Sequence, residues 1–122
     1  QRQHVWKACS LVSWQRVVLR VPAVEGLHIV VAHGPDYSLG DIEADLLIAG
    51  HTHGGQVRLP GFGPPVTFSR VPRDWAAGRT ALPHGGTLFV SRGVGMERMT
   101  APRLRFLCPP EVMIIDVIPR SP

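Results

Sequence analysis

The chain has 122 residues, a length that fits one small domain with its own hydrophobic core. Hydrophobic residues make up 44% of it and charged residues 18%, which excludes a disordered tail. No apolar run approaches the roughly 20 residues that a membrane-spanning helix needs, and no secretion signal is visible.

The basic residues exceed the acidic ones, giving a formal net charge of +4. This charge would suit an anionic substrate such as a phosphate ester or a nucleic acid. However, the arginines are scattered through loop-like sequence and are not interleaved with aromatic residues, so we predict no clear nucleic-acid binding surface. Cys9 and Cys108 lie far apart without C-x-x-C spacing, and we expect two reduced thiols in a cytoplasmic protein.

The first fifteen residues show no clear period, and residues 1–25 stay unassigned, apart from a short strand expected at 16–22. Residues 26–33, "GLHIVVAH", form an apolar, β-branched run that predicts a strand buried on both faces. Residues 35–44 are polar and leave room for about two helical turns. Residues 45–51, "DLLIAGH", predict a second buried strand.

The second half of the chain indicates strands joined by loops. Residues 54–72 are rich in glycine and proline and predict mostly loop and turn. Residues 79–93 indicate two short strands around a "PHGG" turn, and "EVMIIDVI" at 111–118 indicates a last strand. The early part therefore predicts an α/β unit and the later part β-strands.

Three histidines follow the two predicted buried strands. His51 and His53 are two residues apart, so on an extended backbone their side chains would point the same way and share one ion or reach two. His33 follows "IVVA" as His51 follows "LLIAG". Because ligands bind at the carboxyl edge of open α/β sheets, two neighbouring parallel strands would bring these rings together. We therefore predict a metal site.

Other candidate side chains have simpler explanations. We expect His84 in a surface turn and His28 on a strand face, while His4 lies in the unassigned start. Asp36 and Asp41 could support the imidazoles, although capping or solvating the segment between the strands explains them as well. The tryptophans are expected to pack against apolar neighbours; they are Trp6, Trp14 and Trp75.

The segments "VVAHGPDYS", "ADLLIAGHTHGGQVRLPG", "LFVSRGVG" and "PRLRFLCPPEV" resemble the C-terminal half of a calcineurin-like metallophosphoesterase. The likeness is to the bacterial branch whose G-H-x-H box continues into G-G-Q, and it covers about residues 26–118. It implies an α/β fold, the C-terminal portion of a β-sandwich flanked by helices. It also divides the chain into an unassigned segment, 1–25, and part of a metallophosphoesterase domain, 26–122.

The resemblance implies that His33 and His51 are ligands of one metal and His53 of another. The implied cofactors are two divalent ions, Mn²⁺, Fe or Zn²⁺, which suit imidazole and carboxylate ligands. The implied activity is hydrolysis of phosphomonoesters or phosphodiesters, and a membrane lipid is a further candidate substrate. The resemblance assigns no catalytic residue in this chain.

The earlier boxes of the family, D-x-H, G-D and G-N-H-[D/E], are not found before His33. We therefore expect a fragment that lacks the N-terminal half of its domain and is inactive alone. Membrane association would then come from an upstream segment. A noncatalytic module whose three histidines hold one metal, or an interaction domain without metal, remains an alternative.

Overall fold

The computed structural model describes residues 26–40, 42–97 and 103–118. The predicted strand at 16–22 lies outside these residues, as do Asp41 and the other features predicted for the first 25 residues: His4, Trp6, Cys9 and Trp14. None of the helices in the described ranges is long and apolar enough to cross a membrane.

A mixed four-stranded sheet forms the centre of the described structure, with strand order β1-β2-β4-β3. The strands are β1 (Ile29–Val31), β2 (Leu46–Ala49), β3 (Gly78–Ala81) and β4 (Thr87–Val90). Strand β2 pairs in parallel with β1 and β4, whereas β3 pairs antiparallel with β4. A parallel core with an antiparallel hairpin is compatible with the predicted α/β class.

The helices in the described ranges are short 3₁₀ segments: Pro35–Leu39, His53–Gly55 and Arg73–Ala76. The first lies in the region predicted to hold about two helical turns. His53–Gly55 lies at the start of the sequence predicted as loop, where glycine and proline limit helix length, and Arg73–Ala76 follows that sequence in residues for which no element was predicted.

The core lies on the inner strands. Leu47, Leu88 and Val90 are completely buried, and Trp75 packs against this cluster as predicted. Strand β2 is buried along most of its length, which confirms the prediction for 45–51. The β3–β4 hairpin around the "PHGG" turn is also confirmed.

The prediction that the 26–33 strand is buried on both faces was wrong. Within the described residues β1 is an edge strand, and Ile29 and Val31 are 42% and 65% exposed. Successive side chains of a strand point to opposite faces of the sheet, and Ile29 and Val31 share the exposed face of β1, whereas Val30 on the other face is half-buried.

The prediction of a strand at 111–118 was also wrong, because these residues pair with no strand in the described part of the chain. Val112 and Ile114 are 78% and 84% exposed. The alternating pattern records a preference for extended backbone, but a strand also needs a hydrogen-bonding neighbour.

Candidate metal site

The carboxyl ends of the three parallel strands lie at one edge of the sheet. Beyond β1 and β2 the ladder continues for one more bond, because Gly50 N–H donates to the His33 carbonyl at 2.9 Å. Beyond β2 and β4 it continues through Ser91 N–H, which donates to the Ala49 carbonyl at 2.9 Å. His33 and His51 therefore emerge side by side where the pairing ends, as the sequence predicts.

The imidazoles of His33 and His51 meet directly. His33 Nε2 lies 3.0 Å from His51 Nδ1, with ring centroids 4.7 Å apart and ring planes inclined at 58°. The His51 ring lies against Gly34, where a Cβ would come within 3.4 Å of His51 Cδ2. Glycine at this position therefore leaves room for the His51 ring.

Tyr37 connects strands β1 and β2, which carry these histidines at their ends. Its hydroxyl donates to the Val30 carbonyl at 3.2 Å and to the Ile48 carbonyl at 3.0 Å, bridging β1 and β2. Burial raises the pKa of this hydroxyl to about 12. Tyr37 therefore stays protonated at neutral pH and stabilises the spacing of the strands that carry the rings.

His53 occupies a different position from the one that the two-residue spacing predicted. The turn is not extended, since His51, His53 and Gln56 have φ angles of +70°, +48° and +56°. The rule that alternate side chains share a face therefore does not apply here. The His53 ring instead packs beside Gly95, where a Cβ would lie 3.6 Å from His53 Cε1.

The surroundings of His53 favour its neutral form. Burial is the largest cause lowering its pKa, followed by the positive charge of Arg105, while Glu97 opposes the shift. Metal binding requires a neutral imidazole, so this environment suits a ligand. It also suits a buried structural histidine.

Sequence analysis missed the role of Thr52, which lies between the two histidines. Its buried hydroxyl donates to the Ala76 carbonyl at 2.7 Å and accepts from Gly54 N–H at 3.3 Å. Thr52 thereby anchors the histidine turn to the 3₁₀ segment at Arg73–Ala76. Its signal in the sequence was a short hydroxyl residue placed where a turn needs a side-chain acceptor.

The glycines after His53 allow close packing of the turn. Gly54 and Gly55 have φ angles of +64° and +81°, which favour glycine. A Cβ on Gly54 would lie 2.7 Å from Cys108 Sγ, and a Cβ on Gly55 would lie 2.3 Å from Pro64 Cβ. Neither position has space for a side chain.

The remaining candidates lie away from the histidine pair. Asp36 accepts from Arg70 N–H at 2.6 Å and Ser69 Oγ at 3.1 Å, so it anchors a loop. His84 is exposed in the β3–β4 turn, as predicted. His28 was predicted on a strand face, but it lies one residue before β1, at the opposite end of the strands, where its backbone N–H donates to Asp45 Oδ2 at 2.8 Å.

The three predicted ligands do not converge on one point. In the described ranges no group of three His, Cys, Asp or Glu side chains is placed to hold a metal ion. His33 and His51 form a pair, and the His53 ring packs beside Gly95. This arrangement is compatible with the implied division of the ligands between two ions and opposes one ion held by all three histidines.

Comparison with curated proteins gives several relatives. The chain is 38% identical over 93 residues to the uncharacterized metallophosphoesterase YkuE of Bacillus subtilis, an alignment that covers 73% of this chain and 30% of YkuE. It is 37% identical over 93 residues to the phosphodiesterase YaeI of Escherichia coli, covering 74% of this chain and 32% of that protein.

The chain is homologous to the calcineurin-like metallophosphoesterases. A third relative is the UDP-2,3-diacylglucosamine pyrophosphatase LpxG of Chlamydia trachomatis, at 33% identity over 95 residues, covering 71% of this chain and 28% of LpxG. The chain thus spans about a third of the length of these relatives. No protein-family profile and no solved structure matches it.

Proposed function

We propose that this chain supplies one half of a two-metal phosphoesterase centre. In this proposal His33 and His51 bind one divalent ion and His53 binds the other. The remaining ligands, including a bridging carboxylate, come from the part of the relatives that this chain does not span. In the same proposal the described sheet is the C-terminal portion of a β-sandwich flanked by helices, and it belongs to a domain that begins at residue 26.

The observation that carries the proposal is the 3.0 Å between His33 Nε2 and His51 Nδ1. Zinc–imidazole bonds are about 2.0–2.1 Å long, so two ligands at a right angle lie about 2.9 Å apart, and at the tetrahedral angle about 3.3 Å. Without an ion, the same distance is that of an N–H···N hydrogen bond. The pair is therefore already spaced for a shared ion.

When bound, two divalent ions would lower the pKa of a water molecule and offset charge on the phosphate oxygens. His33 and His51 would present unprotonated nitrogens from the ends of β1 and β2, with Tyr37 keeping those strands at a fixed spacing. Thr52 would hold the intervening turn against the core. Mn²⁺, Fe and Zn²⁺ all suit this donor set.

We propose phosphate esters as substrates, with phosphodiesters first, because a relative is named a phosphodiesterase. A lipid-linked phosphate is the second candidate, because LpxG is named for a diacylglucosamine pyrophosphatase activity. Location in the cytoplasm, or at a membrane through an upstream segment, stays a prediction.

The experiment is metal analysis of the purified chain after loading with Zn²⁺ and dialysis. We expect His51→Ala and His53→Ala each to lose bound metal, because each removes a ligand. His84→Ala is the matched control, since it removes an exposed histidine from a turn outside the predicted metal site. Equal metal content in the wild type and the His51→Ala/His53→Ala double variant would refute the proposal.

A noncatalytic metal-binding or interaction module is the competing function. It is favoured by the absence, among the described residues, of any group of three His, Cys, Asp or Glu side chains placed to hold an ion. An upstream-extended protein distinguishes the two functions. Metal-dependent hydrolysis that His53→Ala abolishes supports the enzyme, and metal binding without hydrolysis supports the module.

A further inference from the structure

An exposed apolar loop follows the histidine turn. We call it the apolar loop and define it as residues 57–72. Its two phenylalanines, Phe62 and Phe68, are 55% and 54% exposed, and the side chains of Leu59 and Val66 are exposed as well. Clusters of exposed apolar side chains mark sites of protein or membrane interaction. The loop is therefore a candidate binding surface.

The tip of the apolar loop is a closed turn. Leu59 and Gly63 exchange two backbone hydrogen bonds, each 2.9 Å long, and Phe62 lies between them in the chain. A Cβ on Gly61 or Gly63 would meet no atom of the described structure within 4 Å, so open space surrounds the tip. The turn therefore presents Phe62 in a defined conformation, which reduces the conformational entropy that binding would cost.

A second exposed segment lies beside the base of the apolar loop. Arg58 N–H donates to the Phe106 carbonyl, and Phe106 N–H donates to the Gln56 carbonyl, both at 2.9 Å. Phe106 is half-exposed, and its neighbours in the chain include two further exposed leucines, Leu104 and Leu107. The exposed apolar surface therefore extends beyond the loop itself.

The charges in and around the apolar loop are of one sign. Between Asp45 and Asp74 the sequence contains three arginines and no acidic residue. These arginines are Arg58, Arg70 and Arg73. The guanidinium of Arg73 lies over the Phe62 ring, 4.7 Å from its centroid. A positive charge and an exposed aromatic ring therefore lie together at the tip.

This combination suits an anionic lipid surface. The lipid headgroup region accepts apolar side chains while its phosphates attract cations, and the two contributions add. A protein partner that covered Phe62 would also cover the Arg73 guanidinium, which is costly to bury without a carboxylate partner. The exposed apolar segment at 111–118 differs, because its charged residues, Glu111 and Asp116, are acidic.

We propose that the apolar loop docks reversibly on an anionic lipid surface. Phe62 and Phe68 enter the headgroup region, and Arg58 and Arg73 face the lipid phosphates. The docking does not depend on the proposed function, because no predicted metal ligand belongs to the loop.

Docking would bring the histidine turn close to the membrane. The loop packs against this turn, since a Cβ on Gly55 would lie 2.3 Å from Pro64 Cβ. A phosphate ester carried by a lipid would then meet the candidate metal site at the membrane surface. This consequence, unlike the docking itself, rests on the proposed function.

The test is co-sedimentation of the full 122-residue chain with lipid vesicles. We expect binding to vesicles of phosphatidylcholine and phosphatidylglycerol in equal parts, weaker binding to pure phosphatidylcholine, and a loss of that difference at high salt. Phe62→Ser/Phe68→Ser should weaken binding to the mixed vesicles about 10- to 100-fold, because it removes two half-exposed apolar side chains. Arg58→Gln/Arg73→Gln should reduce the preference for the mixed vesicles about 10- to 30-fold.

Val112→Ser/Ile114→Ser is the matched control for exposed apolar surface. These two side chains are more exposed than the phenylalanines but lie beside acidic residues, so their loss should leave vesicle binding unchanged. A gain of signal makes the test independent of how well the serine variants fold. Phe62→Trp should add tryptophan fluorescence that brominated lipids quench, whereas the fluorescence added by Ile114→Trp should not be quenched.

Equal weakening in the two serine double variants would overturn the proposal, and so would equal binding to both kinds of vesicle at low salt. Binding that is lost in an upstream-extended protein would show that the missing part of the domain covers the loop. Self-association that Phe62→Ser/Phe68→Ser abolishes, without vesicle binding, would assign the loop to a second copy of the chain. Either result would also overturn the proposal.

The metal site is tested separately. Vesicle binding that persists in His51→Ala/His53→Ala supports docking, whatever the metal content of that variant. Failure of the docking proposal and failure of the proposed function are therefore distinguishable.

Discussion

Replacing Gly55 by alanine should destabilise the chain more than the same change at Gly61. Both glycines have positive φ angles, +81° and +72°, so the left-handed strain of about 1–2 kcal/mol enters both variants and cancels in the comparison. They differ in their surroundings. A Cβ on Gly55 would lie 2.3 Å from Pro64 Cβ and 2.8 Å from the Val66 carbonyl oxygen, whereas nothing lies within 4 Å of a Cβ on Gly61.

Carbon atoms pack at about 3.5–4.0 Å, so alanine at Gly55 would force the histidine turn away from Pro64. Overpacking of this kind costs typically about 1–3 kcal/mol. The folded-to-unfolded ratio of Gly55→Ala should therefore be about 5- to 150-fold lower than that of Gly61→Ala.

Urea unfolding followed by tryptophan fluorescence measures this difference as a shift in midpoint at constant slope. Gly61→Ala is the matched control for backbone strain. Equal midpoints for the two variants would refute the reasoning, because they would show that the turn does not approach Pro64 closely in solution.

Three further predictions follow from the contacts and the charges. Tyr37 is the single tyrosine of the chain, so absorbance at alkaline pH should report its pKa of about 12 directly. The stability of the folded chain should fall as the pH rises from about 10 to 12. Titration near pH 10 would show instead that the hydroxyl is exposed. Hydrogen bonds from Arg92 lower the pKa of Glu111, so Glu111→Gln should lower the free energy of unfolding by about 1 kcal/mol at neutral pH. The loss should become smaller as the pH falls below about 4.5, where the carboxylate becomes protonated. A loss that does not depend on pH would contradict the ion pair. The 122-residue chain should not hydrolyse bis-p-nitrophenyl phosphate with added Mn²⁺, because no group of three His, Cys, Asp or Glu side chains in the described residues is placed to hold a metal ion. Turnover that is lost in His53→Ala would contradict this prediction.

The fold was predictable from the sequence for the central strand, which pairs with another strand on each side. Strand β2 has apolar residues on both faces and lies between β1 and β4, so pattern and burial agree. Strand β1 carries a similar pattern but lies at the described edge, and no local period encodes strand order. For 111–118 the pattern indicates extended backbone, but pairing depends on residues elsewhere in the chain.

The site was predictable to the same degree. His33 and His51 follow apolar runs, and parallel pairing brings strand ends together, so their meeting could be inferred from sequence. Thr52 and Arg105 could not, because the Thr52 hydroxyl bonds to a carbonyl 24 residues away and Arg105 to one 52 residues away. The direction of the His53 side chain could not be predicted either, because it depends on the positive φ angles of the turn.

The central claim is that His33 and His51 share one metal ion. X-ray absorption at the zinc edge of the loaded chain counts imidazole nitrogens around the ion. We predict an ion with at least two imidazole nitrogens at about 2.0–2.1 Å, and loss of that pair in the His33→Ala/His51→Ala variant. An unchanged zinc spectrum in that double variant would contradict the account.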